Sequence, residues 1–76
     1  MQQLIEGVVR GMVAAPEAVT VSEVAEGPMT VLKVHVAAAD LGRVVGTHGR
    51  TLRSLRTLLA AAARNLPTRF RLEIDE

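Results

Sequence analysis

Gly46-Thr47-His48-Gly49 separates two helix-compatible runs and constrains the fold more than any other stretch of the chain. Two glycines around two polar residues let the backbone turn sharply and let a partner come close, because glycine has no Cβ. The stretch 40–59 around it carries Arg43, Arg50, Arg53 and Arg56, and its only acid is Asp40 at the edge. A helix starting just after the turn aims its free N–H groups and the positive end of its dipole back at the turn. Such an arrangement suits a phosphate. The rest of the chain reads as a scaffold for this turn.

Charge is distributed unevenly. Residues 1–40 carry five acids against two bases, residues 41–66 carry five arginines and no acid, and residues 67–76 carry two arginines against three acids. The net charge of +1 therefore hides a cationic block coincident with the glycine turn. A clustered basic patch attracts polyanions even on a near-neutral protein. A solvated helix face is the plain alternative reading of the same arginines. The chain has one Phe and no Tyr or Trp, which argues against the aromatic base-stacking platforms of RRM and OB folds.

The 76 residues suit one domain with a small core, since a chain of this size buries only about 60% of its unfolded surface. There is no cysteine, which excludes disulfides and thiolate metal sites and fits a reducing compartment. The N-terminus lacks a signal-peptide pattern. No apolar run approaches the roughly 20 residues of a membrane span. The expectation is a cytoplasmic protein with no membrane insertion.

Residues 2–15 place Leu4, Ile5, Val8, Val9, Met12 and Val13 on one helical stripe, ending before Pro16. Residues 18–25 alternate at Val19 and Val21 and lose phase at Glu23-Val24, which predicts a strand with a bulge near its end. Glu26-Gly27-Pro28 is a turn, and residues 29–37 form a strand with Leu32, Val34 and Val36 on one face and Lys33 and His35 on the other. Asp40 is an N-cap for a short helix over 41–45. A helix over 50–64 turns Leu52, Leu55, Leu58, Leu59, Ala62 and Ala63 inward. Residues 68–75 form a last strand with Phe70, Leu72 and Ile74 inward. The predicted fold is α+β, in the order α-β-β-α-α-β, with a three-stranded mixed sheet and three helices on one face.

This order, with Gly46-Thr47-His48-Gly49 between the last two helices, resembles a type II KH domain. The run Leu41-Gly-Arg-Val-Val-Gly-Thr-His-Gly-Arg-Thr-Leu-Arg-Ser-Leu-Arg-Thr-Leu-Leu59 looks like the small bacterial single-KH RNA-binding proteins called KhpA, and the likeness covers essentially the whole chain. A bare GxxG is weakly specific. The flanking helices, the basic Arg43 before Val44-Val45, and Arg50 after the loop strengthen it.

The resemblance implies binding of about four nucleotides of single-stranded RNA or DNA, with the backbone crossing the loop and the bases in an apolar groove. Carried over residue by residue, the loop is Gly46, Thr47, His48 and Gly49. Arg43 and Arg50 flank it as phosphate contacts, and Arg53 follows one turn on. Val44 and Val45 take the groove-lining positions, although one of the pair can equally belong to the core. Relatives often carry lysine where Thr47 stands, so backbone affinity here rests on the arginines. His48 is either a plain surface residue or a phosphate or ribose contact.

The resemblance also implies an RNA chaperone or post-transcriptional regulator. It implies a homodimer, or a heterodimer with a larger KH-containing protein of the Jag/KhpB type. No cofactor is implied. The competing reading is a protein-interaction subunit that keeps the fold for docking, which Thr47 favours. A duplex-DNA binder is disfavoured because there is no basic arm or helix-turn-helix spacing. Catalysis finds no support. Ser22 and Ser54 lack an activating base in sequence, His48 has no nearby acid, and the turn lacks P-loop spacing.

Overall fold

A computed structural model describes all residues 1–76. Helix α1 (Gln2–Arg10) leads to strands β1 (Thr20–Glu26) and β2 (Met29–His35), then to helices α2 (Leu41–Val45) and α3 (Arg50–Ala62), and ends in strand β3 (Arg69–Asp75). Single 3₁₀ turns occupy Pro16–Ala18, Ala38–Asp40 and Thr47–Gly49. The expected order α-β-β-α-α-β is the observed one.

Strand β2 is central. It pairs antiparallel with β1, from Thr20 opposite His35 to Glu26 opposite Met29, and parallel with β3, from Met29 beside Arg69 to His35 beside Asp75. Side chains alternate across a strand, so each row of the sheet faces one way. The inner rows carry Val21, Val34 and Leu32 with Leu72. Against them pack Ile5 and Val9 of α1, Val44 of α2, and Leu55 and Leu59 of α3. All three helices thus share one face of one sheet. The outer face is charged: His35 Nδ1 lies 2.9 Å from Asp75 Oδ1, and Arg71 reaches Glu26 and Glu73 at 3.3 and 3.0 Å.

Several local expectations are corrected. Helix α1 stops at Arg10 rather than near residue 15. The amides of Ala14 and Ala15, which a longer helix would use internally, instead donate to the two carboxylate oxygens of Asp40, each at 3.0 Å. Asp40 is therefore no N-cap. Its own backbone is helical (φ −97°, ψ −8°), and its side chain makes no capping bond to α2. Strand β1 has no bulge, since its register with β2 is unbroken; the out-of-phase Val24 simply stands on the outer face, partly exposed. Helix α3 ends at Ala62, and Leu58 and Ala62 face solvent instead of the core. Leu58 lies on the flank of the stripe centred on Leu55 and Leu59, and Ala62 is the last residue of the helix.

Candidate functional site

The five residues of α2 end at Gly46, whose N–H donates to the Gly42 carbonyl at 2.8 Å. The chain then reverses through a single 3₁₀ turn closed by the Gly49 N–H to the Gly46 carbonyl at 3.1 Å. Positive φ occurs at Gly46 (+78°), His48 (+57°) and Gly49 (+72°). The two glycines are required for different reasons. A Cβ at Gly46 would stand 2.9 Å from the Thr51 backbone nitrogen, whereas a Cβ at Gly49 would meet nothing within 4 Å. Gly46 thus packs the turn onto the first turn of α3, and Gly49 leaves its outer side open to a visitor.

Thr47 and His48 stand exposed on the tip, and no side chain caps the N-terminus of α3. The Gly49 and Arg50 amides already donate to the Gly46 and Thr47 carbonyls, while the dipole end stays uncovered by any side chain. Arg43, Arg50 and Arg53 are exposed around the turn. Arg50 and Arg53 make no ion pair, and Arg43 lies with its Nε 3.5 Å from Asp40 Oδ1, its side chain still 63% exposed. No acidic residue occurs between Asp40 and Glu73, a stretch holding seven arginines. A positive field therefore surrounds the loop, offset by Asp40 only at Arg43.

The structure separates some residues that the sequence grouped. Val44 is wholly inside the core, at 0% exposure, while Val45 is half-buried. Of the two, only Val45 keeps surface that a ligand can reach, and Val44 acts from behind by packing. Val44→Ala is expected to cost about 2 kcal/mol, from two buried methyl groups and the cavity they leave. Val45→Ala is expected to cost about half of that, since part of its surface is already wet. Urea denaturation followed by circular dichroism checks the difference, and equal losses would contradict this division. Arg56 also leaves the cluster. Its guanidinium donates to the Leu72 carbonyl at 3.4 Å, spanning from α3 to β3.

The remaining chemistry on the chain is quiet. Ser54 donates its hydroxyl to the Arg50 carbonyl at 3.1 Å, and Thr57 does the same to Arg53. These are back-bonds within α3, and they leave neither hydroxyl next to a base. His48 makes no hydrogen bond or ion pair within the chain. No group of three or more His, Cys, Asp or Glu side chains comes together to hold a metal. No helix is long and apolar enough to cross a membrane. Sequence reasoning missed Asp40 as the strut between the loop after α1 and the start of α2. Its one visible signal was its place as the lone acid at the edge of a basic block.

Comparison with known proteins joins this geometry to a family. The family model described as KhpA/KhpB, KH domain, matches residues 2–74. A protein of Treponema pallidum called RNA-binding protein KhpA is 42% identical over 73 residues, covering 96% of this chain and 91% of its own. Proteins of the same name from Thermotoga maritima and Clostridium acetobutylicum are 43% and 40% identical over 61 and 63 residues, covering 80% and 83% of this chain and 81% and 84% of their own. No solved structure gives a significant match. With the glycine turn held between α2 and α3 over one face of a β1-β2-β3 sheet, and with the match running nearly end to end, the chain belongs to the KhpA/KhpB family of KH domains.

Proposed function

We propose that this chain is a single KH domain that binds single-stranded RNA across its Gly46–Gly49 loop with low sequence specificity. The observation that carries the reading is the acid-free glycine turn at the uncapped start of α3, open at Gly49 and ringed by Arg43, Arg50 and Arg53. Backbone phosphates lie against the loop, where the positive end of the α3 dipole and the three guanidiniums attract them, and Thr47 adds a hydroxyl. Val45 lines the groove that takes the bases. The names of the relatives, each an RNA-binding protein, support the same ligand.

Three phosphate contacts at most give a salt slope of about −2 on a single strand, so one domain binds weakly. Useful affinity then comes from pairing, either with a second copy or with a larger KH-containing protein of the Jag/KhpB type. Linking two modest sites raises avidity without new contacts. The cellular role that fits is an RNA chaperone or post-transcriptional regulator in the cytoplasm.

The test is a fluorescence-anisotropy titration of a labelled mixed-sequence RNA at two salt concentrations. Thr47→Asp with His48→Asp puts two negative charges at the phosphate position, and affinity is expected to fall by roughly tenfold or more, with circular dichroism unchanged. Equal binding by wild type and variant would make the arginines a diffuse patch and end the loop mechanism. No binding by the wild type at micromolar protein would leave the fold as a protein-docking subunit.

A further inference from the structure

A cleft of about 440 Å³ opens at the far end of α3 from the glycine loop. Leu59 of α3, Ala63 just after that helix, Leu66 of the connecting loop and Phe70 of β3 line its apolar part, and Arg64 and Arg69 line it as well. No acid lines it. Phe70 is the only aromatic residue of the chain, and it is half-buried there. Both arginines are exposed and neither makes an ion pair or a side-chain hydrogen bond. A cavity of this size lies within the range that holds a small ligand. Apolar walls, one aromatic ring and two unpaired cations at the rim fit a planar base attached to phosphates.

The cleft is also in line with the loop. The 13 residues of α3 span about 20 Å at 1.5 Å per residue, with Gly49 at one end and the cleft at the other. A stacked strand advances about 3.4 Å per nucleotide, so roughly six nucleotides bridge the two ends, and fewer if the strand is drawn out. Helix α3, which joins the two, carries no acid. We infer that this cleft is a second anchor for the same RNA strand, taking a base against Phe70 and its flanking phosphates at Arg64 and Arg69, so that the site extends well beyond the nucleotides held at the loop. This rests on the RNA-binding reading above and lengthens the site it describes.

The experiment compares labelled mixed-sequence RNAs of four and eight nucleotides on wild type, on Arg64→Ala with Arg69→Ala, and on Ala60→Leu, which narrows the cleft without changing charge. All three positions allow the fold to persist, since Arg64, Arg69 and Ala60 are exposed; circular dichroism confirms it. The four-mer is expected to bind wild type and both variants alike. The eight-mer is expected to bind the arginine variant about fivefold more weakly or worse, with a salt slope shallower by about 1.4 for two lost phosphate contacts. Ala60→Leu is expected to weaken the eight-mer with its slope unchanged. The extra registers open to a longer RNA are the same for every variant and cancel in the comparison. A ratio of eight-mer to four-mer affinity that is the same in all three proteins overturns the second anchor and leaves the cleft to an acidic peptide or to nothing. An arginine variant that loses the four-mer equally overturns it too. Wild type that binds neither RNA overturns the loop reading itself, which separates the two failures.

Discussion

Asp40→Ala is expected to remove about 2–5 kcal/mol of stability, because it strips the acceptor from two backbone amides at once. Asp40 is 2% exposed, and its two oxygens take the Ala14 and Ala15 N–H groups at 3.0 Å each. Bonds to a charged acceptor are worth about 1.5–3 kcal/mol, and an amide left without a partner costs about 1–3. Water reaches part of this site, which sets the lower bound. A chain of 76 residues has only about 4–11 kcal/mol in total, so the loss is a large fraction. The midpoint of thermal unfolding should fall by about 8 °C or more, at roughly 4–8 °C per kcal/mol for a domain of this size. Asp40→Asn keeps one carbonyl acceptor and turns an amide donor toward the other N–H, so it should fall between wild type and Asp40→Ala. A loss below about 1 kcal/mol for Asp40→Ala would mean that water satisfies both amides and that the strut carries no weight. The effect should reach the loop as well. Asp40 joins the segment after α1 to the residue just before α2, and α2 carries the glycine turn at its other end.

That strut shows where local sequence stops being informative. The alternation of Phe70, Leu72 and Ile74, and the stripe of Ile5, Val8 and Val9, are set by the period of each element, and the element order was legible from them. The end of α1 was not. It depends on an acceptor 25 and 26 residues away, and nothing near Ala14 and Ala15 announces it. A similar limit separated Val44 from Val45. In a five-residue helix, one turn of pattern cannot say which of two adjacent valines faces the core. The glycine turn was legible because positive φ and close approach select for glycine in any tertiary setting. The arginines around it were not individually legible. Arg50, Arg53 and Arg56 look alike along the chain, and only the approach of β3 commits Arg56 to the Leu72 carbonyl. Val24 misled for a further reason. An apolar residue out of phase suggests a bulge, yet it is a plain outward position beside Val31 across the strand pair.

Gly46→Ala should be far more damaging than Gly49→Ala, although the two glycines look equivalent in the sequence. At Gly46, φ +78° with ψ 171° lies in a region essentially reserved for glycine, and holding another residue there costs about 1–3 kcal/mol. A methyl group would also sit 2.9 Å from the Thr51 backbone nitrogen and 2.8 Å from its Cβ. Relieving that overlap means moving the first turn of α3, which adds about 1–3 kcal/mol as overpacking does in a core. The expected total is about 2–5 kcal/mol. Gly49 is left-handed at φ +72°, ψ 16°, with open space around the absent Cβ, so Gly49→Ala should cost about 1–2 kcal/mol. Gly49→Asn should cost less, since asparagine visits that region more readily. Urea denaturation of the three variants gives the order directly. RNA binding should then invert the emphasis. Gly49→Ala, the less destabilised of the two alanine variants, places a methyl group on the open side of the loop where a phosphate is proposed to approach, and should weaken RNA binding while the fold holds. If Gly46→Ala were as stable as Gly49→Ala, the close contact with Thr51 would not be holding the loop against α3, and the rigid seat proposed for the phosphate would be gone.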